Sequence, residues 1–196
     1  MKNLIIYSLL LFCAVSVNAQ EVTQLEETNI TFEPYTSNVS SSLDSSFLVK
    51  INENYAGEFS KDPIKFMKQN FDIQGFISFL DERNNNAFQE IAYESYKVTF
   101  STNKGDLVAK FSKEGELDET SQKFNNIALP ADIRRVLYAN YKGWNMVKNT
   151  YTASGEGDQI DNELYRIKLK NGNRSQIVKI VPDRMGSDIV AAVERE

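Results

Sequence analysis

Few residues of this 196-residue chain could carry covalent chemistry, because it has no His and a single Cys, Cys13. Ser-His-Asp and Cys-His catalysis need an imidazole that is missing. A Ser-Lys pair exists on paper in Ser101-Thr102-Asn103-Lys104. A nucleophilic S-x-x-K opens a helix and is joined by Ser-Asp-Asn and Lys-Thr-Gly motifs. Here it closes a strand pattern and enters its turn, and neither companion occurs.

Paired carboxylates are the remaining acid–base chemistry, and a glycosidase needs only two. With 27 Asp and Glu, some pair always falls at a usable separation, so none is singled out. The tightest cluster, Glu156, Asp158, Asp161 and Glu163, offers oxygens for calcium. It lacks the alternating Asp ligands and central Gly of an EF-hand loop, and a solvated acidic loop is the simpler reading. No catalytic residue, metal ligand or cofactor is therefore assigned. An extracytoplasmic hydrolase using carboxylates or a bound metal ion stands as the alternative to a binding function.

The address is written at the N-terminus. Lys2 precedes an apolar run from Leu4 to Val17, and Val17-Asn18-Ala19 presents small residues before Gln20. This reads as a secretory signal peptide over residues 1–19, too short to span a bilayer comfortably. Phe12 before Cys13 is too large for a lipobox, so no lipid anchor is expected. Cleavage would remove the Cys and Lys2, taking the net charge from −5 to −6. The expected protein is periplasmic or secreted, with no transmembrane anchor. So acidic a domain is a poor partner for nucleic acid.

The elements that must position any site follow from periodicity. Thr28–Phe32 reads as an edge strand, Thr36–Ser46 as a connection and Phe47–Ile51 as a strand. Asp62-Pro63 is an N-cap with proline at the first helical position, and Ile64, Met67 and Phe71 form the inner stripe. Asp72 caps a second helix carrying Ile73, Phe76, Ile77 and Leu80. Tyr96, Val98 and Phe100 alternate into the Asn103-Lys104-Gly105 turn, and Leu107–Phe111 returns. Leu129-Pro130 opens another helix, with Ile133, Val136, Leu137 and Tyr141 on one face and Gly143 as its C-terminal cap. A strand from Trp144 follows, then a hairpin of Tyr165, Ile167 and Leu169 turning at Asn171-Gly172-Asn173. Pro182–Glu196 reads as a tail or one short amphipathic helix.

The two hairpins repeat with one offset. Tyr96–Phe100 lies over Tyr165–Leu169 at 69 residues, and Phe71 over Tyr141 at 70. Helix, hairpin and turn recur in order, which implies duplication. The hairpin closed at Lys113-Glu114-Gly115, the Leu129-Pro130-Ala131 helix start and the Tyr141-Lys142-Gly143 cap resemble the PepSY-like family, described as similar in fold to the β-lactamase inhibitory protein. That resemblance implies an α+β fold of two tandem units, each with helices packed on one face of an antiparallel sheet. The divisions expected are a signal peptide at 1–19, a polar segment at 20–46, units at 47–117 and 118–185, and a tail at 186–196.

Binding then follows from the pleat. If Tyr96 and Tyr165 face helices, alternate side chains face away. Lys97, Thr99, Lys110, Arg166, Lys168 and Lys179 would line the open face as a cationic stripe, with Tyr151 beside it. The expected protein is a non-enzymatic, inhibitor-like module that meets an acidic protein or peptide there. The simpler reading of those charges is a solvated sheet face that discourages edge pairing.

Overall fold

A continuous hydrogen-bond ladder sets the architecture. The computed structural model describes residues 30–33, 44–86, 93–182 and 190–195. Its strands are β1 (Ile30–Glu33), β2 (Asp44–Ile51), β3 (Ser95–Thr102), β4 (Gly105–Ser112) and β5 (Leu117–Asn125). Then come β6 (Asn145–Glu156), β7 (Asn162–Asn171), β8 (Arg174–Val181) and β9 (Val190–Arg195). They form one nine-stranded sheet in sequence order. All neighbours are antiparallel except β2 and β3, which are parallel. A parallel pair needs a long crossover. Here it holds a 3₁₀ turn (Glu53–Tyr55) and helices α1 (Ala56–Lys61), α2 (Pro63–Asn70) and α3 (Ile73–Asn86). Helix α4 (Ala131–Asn140) lies between β5 and β6.

Local signals start these helices where the side chains can satisfy backbone donors. Asp62 accepts from the Lys65 N–H at 3.2 Å, and Pro63 takes the first position of α2. Asp72 accepts from the Gly75 N–H at 3.0 Å. Gly143 adopts φ 79°, the left-handed turn expected after α4. Pro130 sits one residue before α4 rather than inside its first turn.

The helices cover one face. Phe59 of α1 meets Phe124 edge-on at 5.6 Å, and Phe71 meets Phe100 at 5.0 Å. Phe76 of α3 packs on Phe47 and Tyr96, while Ile133 and Leu137 of α4 enter the same core. Tyr96, Val98, Phe100, Tyr165, Ile167 and Leu169 are all buried on this face.

Two tandem units are not what forms. β5 pairs with β6 over seven residues, from Glu119 opposite Glu156 to Asn125 opposite Thr150. The ladder therefore passes without a break between the two hairpins, and one buried cluster runs from Val49 to Ile180. The shared offset reflects two hairpins of one meander, with three helices in one connection and a single helix in the other. β5 is the element the periodicity concealed, because Thr120 and Gln122 occupy inward positions where apolar residues would have announced a strand. The C-terminal stretch is no helix where it is described: β9 pairs with β8 from Val190 to Arg195. β2 begins at Asp44, inside the segment read as a connection. The signal-peptide reading lies outside the described residues.

Candidate functional site

Because the helices share one face, the other is open along the described strands. Its cations come from alternate positions of β2–β8: Lys50, Lys97, Lys110, Lys123, Lys148, Arg166, Lys168, Lys170 and Lys179. Four carboxylates share those positions, Asp44, Asp106, Glu119 and Glu156. The outer strands add Glu33 and Glu194 at register positions of this face.

Six of the seven residues singled out from the sequence lie here, arranged otherwise than as one stripe. Lys97 stands directly opposite Lys110, with Thr99 one step along β3. Arg166 stands opposite Lys179, with Lys168 one step along β7. The two groups are four strands apart, about 19 Å, and about six residues or 20 Å apart along the strands. One sheet with a sequential meander cannot place them at matched positions. Tyr151 faces the other way: it is buried, and its ring lies 4.9 Å from that of Tyr165 on the helix side.

Lys148 is the residue sequence reasoning missed. It lies opposite Lys168, so Lys148, Arg166, Lys168 and Lys179 form one block over β6–β8. The strand read from Trp144 forms as β6, but its inward face was masked by Asn149, a polar residue at an inward position. Alternation through Asn149, Tyr151 and Ala153 was the available signal. Lys97–Lys110, Arg166–Lys179 and Lys148–Lys168 are thus three directly opposed like-charge pairs. Taken by itself a directly opposed like-charge pair is destabilising, and Arg166, Lys168 and Lys179 each have a further interaction.

The other chemical features resolve into local structure. Ser101 Oγ donates to Asp106 across the β3–β4 hairpin, and Lys104 lies exposed in its turn. In the acidic loop Asp158 pairs with Lys68 of α2, which holds its carboxyl below the usual range. Asp161 accepts from the Glu156 N–H, and Glu163 accepts from the Tyr165 hydroxyl. Asp158, Asp161 and Glu163 thus serve separate partners rather than one centre. Among the described residues no helix is long and apolar enough to cross a membrane.

A second concave feature lies on the helix side. A cleft of about 890 Å³ opens between α2 and the segment leading into α4, with Gln122, Tyr151, Glu163 and Tyr165 in its floor. Burial, followed by the Glu163 charge, pushes the Tyr165 phenol far above its ordinary value. Burial raises Tyr96 and Tyr141 as well. Unfolded tyrosines ionise near pH 10. Their neutral-form stabilisation is whole below that pH and is lost as pH rises toward the folded values, since the unfolded state then holds fewer protons. Urea denaturation from pH 9 to 11 should show stability falling, with Tyr165→Phe flattening the fall. An unchanged slope in the variant would reject Tyr165 as its main source.

Compared with protein-family models, curated proteins and solved structures, the chain matches none. The PepSY-like resemblance rests on its turn, helix-start and cap motifs alone.

Proposed function

We propose that this protein is a non-catalytic binding module that takes an acidic segment of a protein or peptide on the helix-free face of its sheet. The carrying observation is the three opposed like-charge pairs in a chain of net charge −5. Among the described residues nine basic residues take positions on that face against six acidic ones, although the whole chain carries 22 basic and 27 acidic residues. The face is thus richer in cations than the chain as a whole. A carboxylate-rich partner would meet complementary charge there, and the field would speed its approach. A leader at residues 1–19 would place this encounter outside the cytoplasm.

Dye-labelled decaglutamate is a suitable probe. Reversing Lys148, Arg166, Lys168 and Lys179 to Glu should slow its association by about tenfold or more at low salt. The parent's rate should fall with salt while the variant's stays flat. A control reversing Lys61, Lys65, Lys104 and Lys113, all exposed and outside the block, sets the effect of net charge alone. Equal slowing in both folded variants would remove the sheet face from recognition.

A further inference from the structure

A smaller pocket, of about 250 Å³, lies between α4 and the start of β6. That is close to the lower end of small-molecule sites, about 300 Å³. Arg134, Leu137, Tyr138 and Tyr141 line it at helical i, i+3, i+4 and i+7 spacing, one stripe along α4 and its cap. The left-handed turn at Gly143 brings the chain back, and the Trp144 N–H donates to the Tyr141 carbonyl at 3.1 Å. Met146 and Leu169, opposite one another in the ladder, add the sheet side. The last wall begins at Ile127, whose backbone groups are held by the Asn149 side chain. Tyr138 is 74% exposed and Met146 50%, so two large apolar side chains stand open to solvent at one small pocket.

The polar groups of the lining select the sign of a ligand. Arg134 is the one charged side chain there, and no carboxylate or side-chain amide accompanies it. Among the described residues neither the Arg134 guanidinium nor the Trp144 indole N–H has a hydrogen-bond or ion-pair partner. Asp132, the carboxylate nearest in sequence, acts on Tyr165 instead. Guanidinium and indole can only donate, and the Tyr138 and Tyr141 hydroxyls can donate too. Rings alone would draw a cation. A permanent positive charge beside them reverses that preference, and a guanidinium matches a carboxylate with two parallel hydrogen bonds.

We propose that this pocket binds an aromatic monocarboxylate, a single ring on a short chain. Its carboxylate would meet Arg134, and its ring would pack among Tyr138, Trp144 and Met146. Binding is non-covalent. The site lies on the helix side and takes one small anion, so it stands or falls apart from the sheet face.

The probes 3-phenylpropanoate, 3-phenylpropanol and 3-phenylpropylammonium share one apolar body and differ in charge. The full chain is titrated with each at low salt, following the fluorescence of Trp144, the single tryptophan. The carboxylate should bind about tenfold more tightly than the alcohol, as expected for a charge-assisted pair, and the ammonium more weakly than either. Arg134→Gln alters an exposed side chain and keeps a donor. It should cut the preference to about threefold or less, since a neutral hydrogen bond is roughly half as strong. Arg135→Gln removes the same charge outside the pocket and should leave the preference unchanged. Tyr138→Ala should weaken all three probes alike. Equal binding of the three, a preference for the ammonium, or fluorescence that no probe moves would overturn the proposal. So would an Arg134→Gln variant that keeps the full preference. The four sheet-face reversals should leave the preference standing; if they abolish it while Arg134→Gln does not, the anion sits on the sheet and the pocket is rejected.

Discussion

Phe100→Ala should destabilise the protein by about 3–5 kcal/mol, the usual range for truncating a buried phenylalanine, and should move one unfolding transition as a whole. Phe100 is completely buried and meets Phe71 edge-on at 5.0 Å, so its removal opens space between β3 and the end of α2. It pairs with Val49 on β2 and Leu107 on β4, both also fully buried, which leaves little room for collapse. Trp144, the single tryptophan, packs against the far part of the same core beyond α4. Urea curves read by Trp144 fluorescence and by far-ultraviolet circular dichroism should therefore shift together. A fluorescence midpoint that stays at the parent value while the dichroism curve divides would mean that the two hairpins unfold as separate units. The unbroken β5–β6 ladder argues for the shared shift.

Asn149→Ala should have a comparable effect from a different cause. Asn149 is 2% exposed, and its side chain serves both backbone groups of Ile127: Oδ1 accepts from the N–H at 3.1 Å, and Nδ2 donates to the carbonyl at 2.9 Å. Its backbone is tied as well, with its carbonyl accepting from the Asn126 N–H at 2.9 Å. These bonds hold the turn where β5 leaves the sheet, and Asn126 adopts φ 53° there. Alanine would strand two partly buried backbone groups at about 1–3 kcal/mol each, so a total loss of about 2–4 kcal/mol is expected with some relief from water. Amide hydrogen exchange at Ile127 should quicken more than at Ile167, which lies in the middle of β7. A stability within half a kcal/mol of the parent would show that water replaces the asparagine without penalty. The segment also forms one wall of the helix-side cleft.

The limits of sequence reading can be placed residue by residue. Asp62-Pro63, Asp72 and Gly143 act within a few residues of themselves, by capping donors or accepting a left-handed backbone, and so they were legible without a fold. The inward sets of β3 and β7 were legible for a similar reason, since alternation is a property of one strand. β5 was not, because a strand whose inner face carries Thr120 and Gln122 has no apolar period. Its place is imposed by β4 and β6 on either side. β6 was legible as a strand from Trp144, but its inward face was not, because Asn149 is polar and is satisfied by Ile127, 22 residues away, a partner that no local pattern reveals. The pairing of Lys148 with Lys168, and the turning of Tyr151 away from the cations, followed from that hidden register. By itself the chain determined which residues could cap, turn and alternate, and that no imidazole was at hand for catalysis. Only the tertiary structure decided that the hairpins share one sheet, because long-range hydrogen bonds and a common core select among the pairings that local periodicity leaves equal. The same selection gathered the cations on one face and set Tyr165 and Glu163 beside Gln122 on the other.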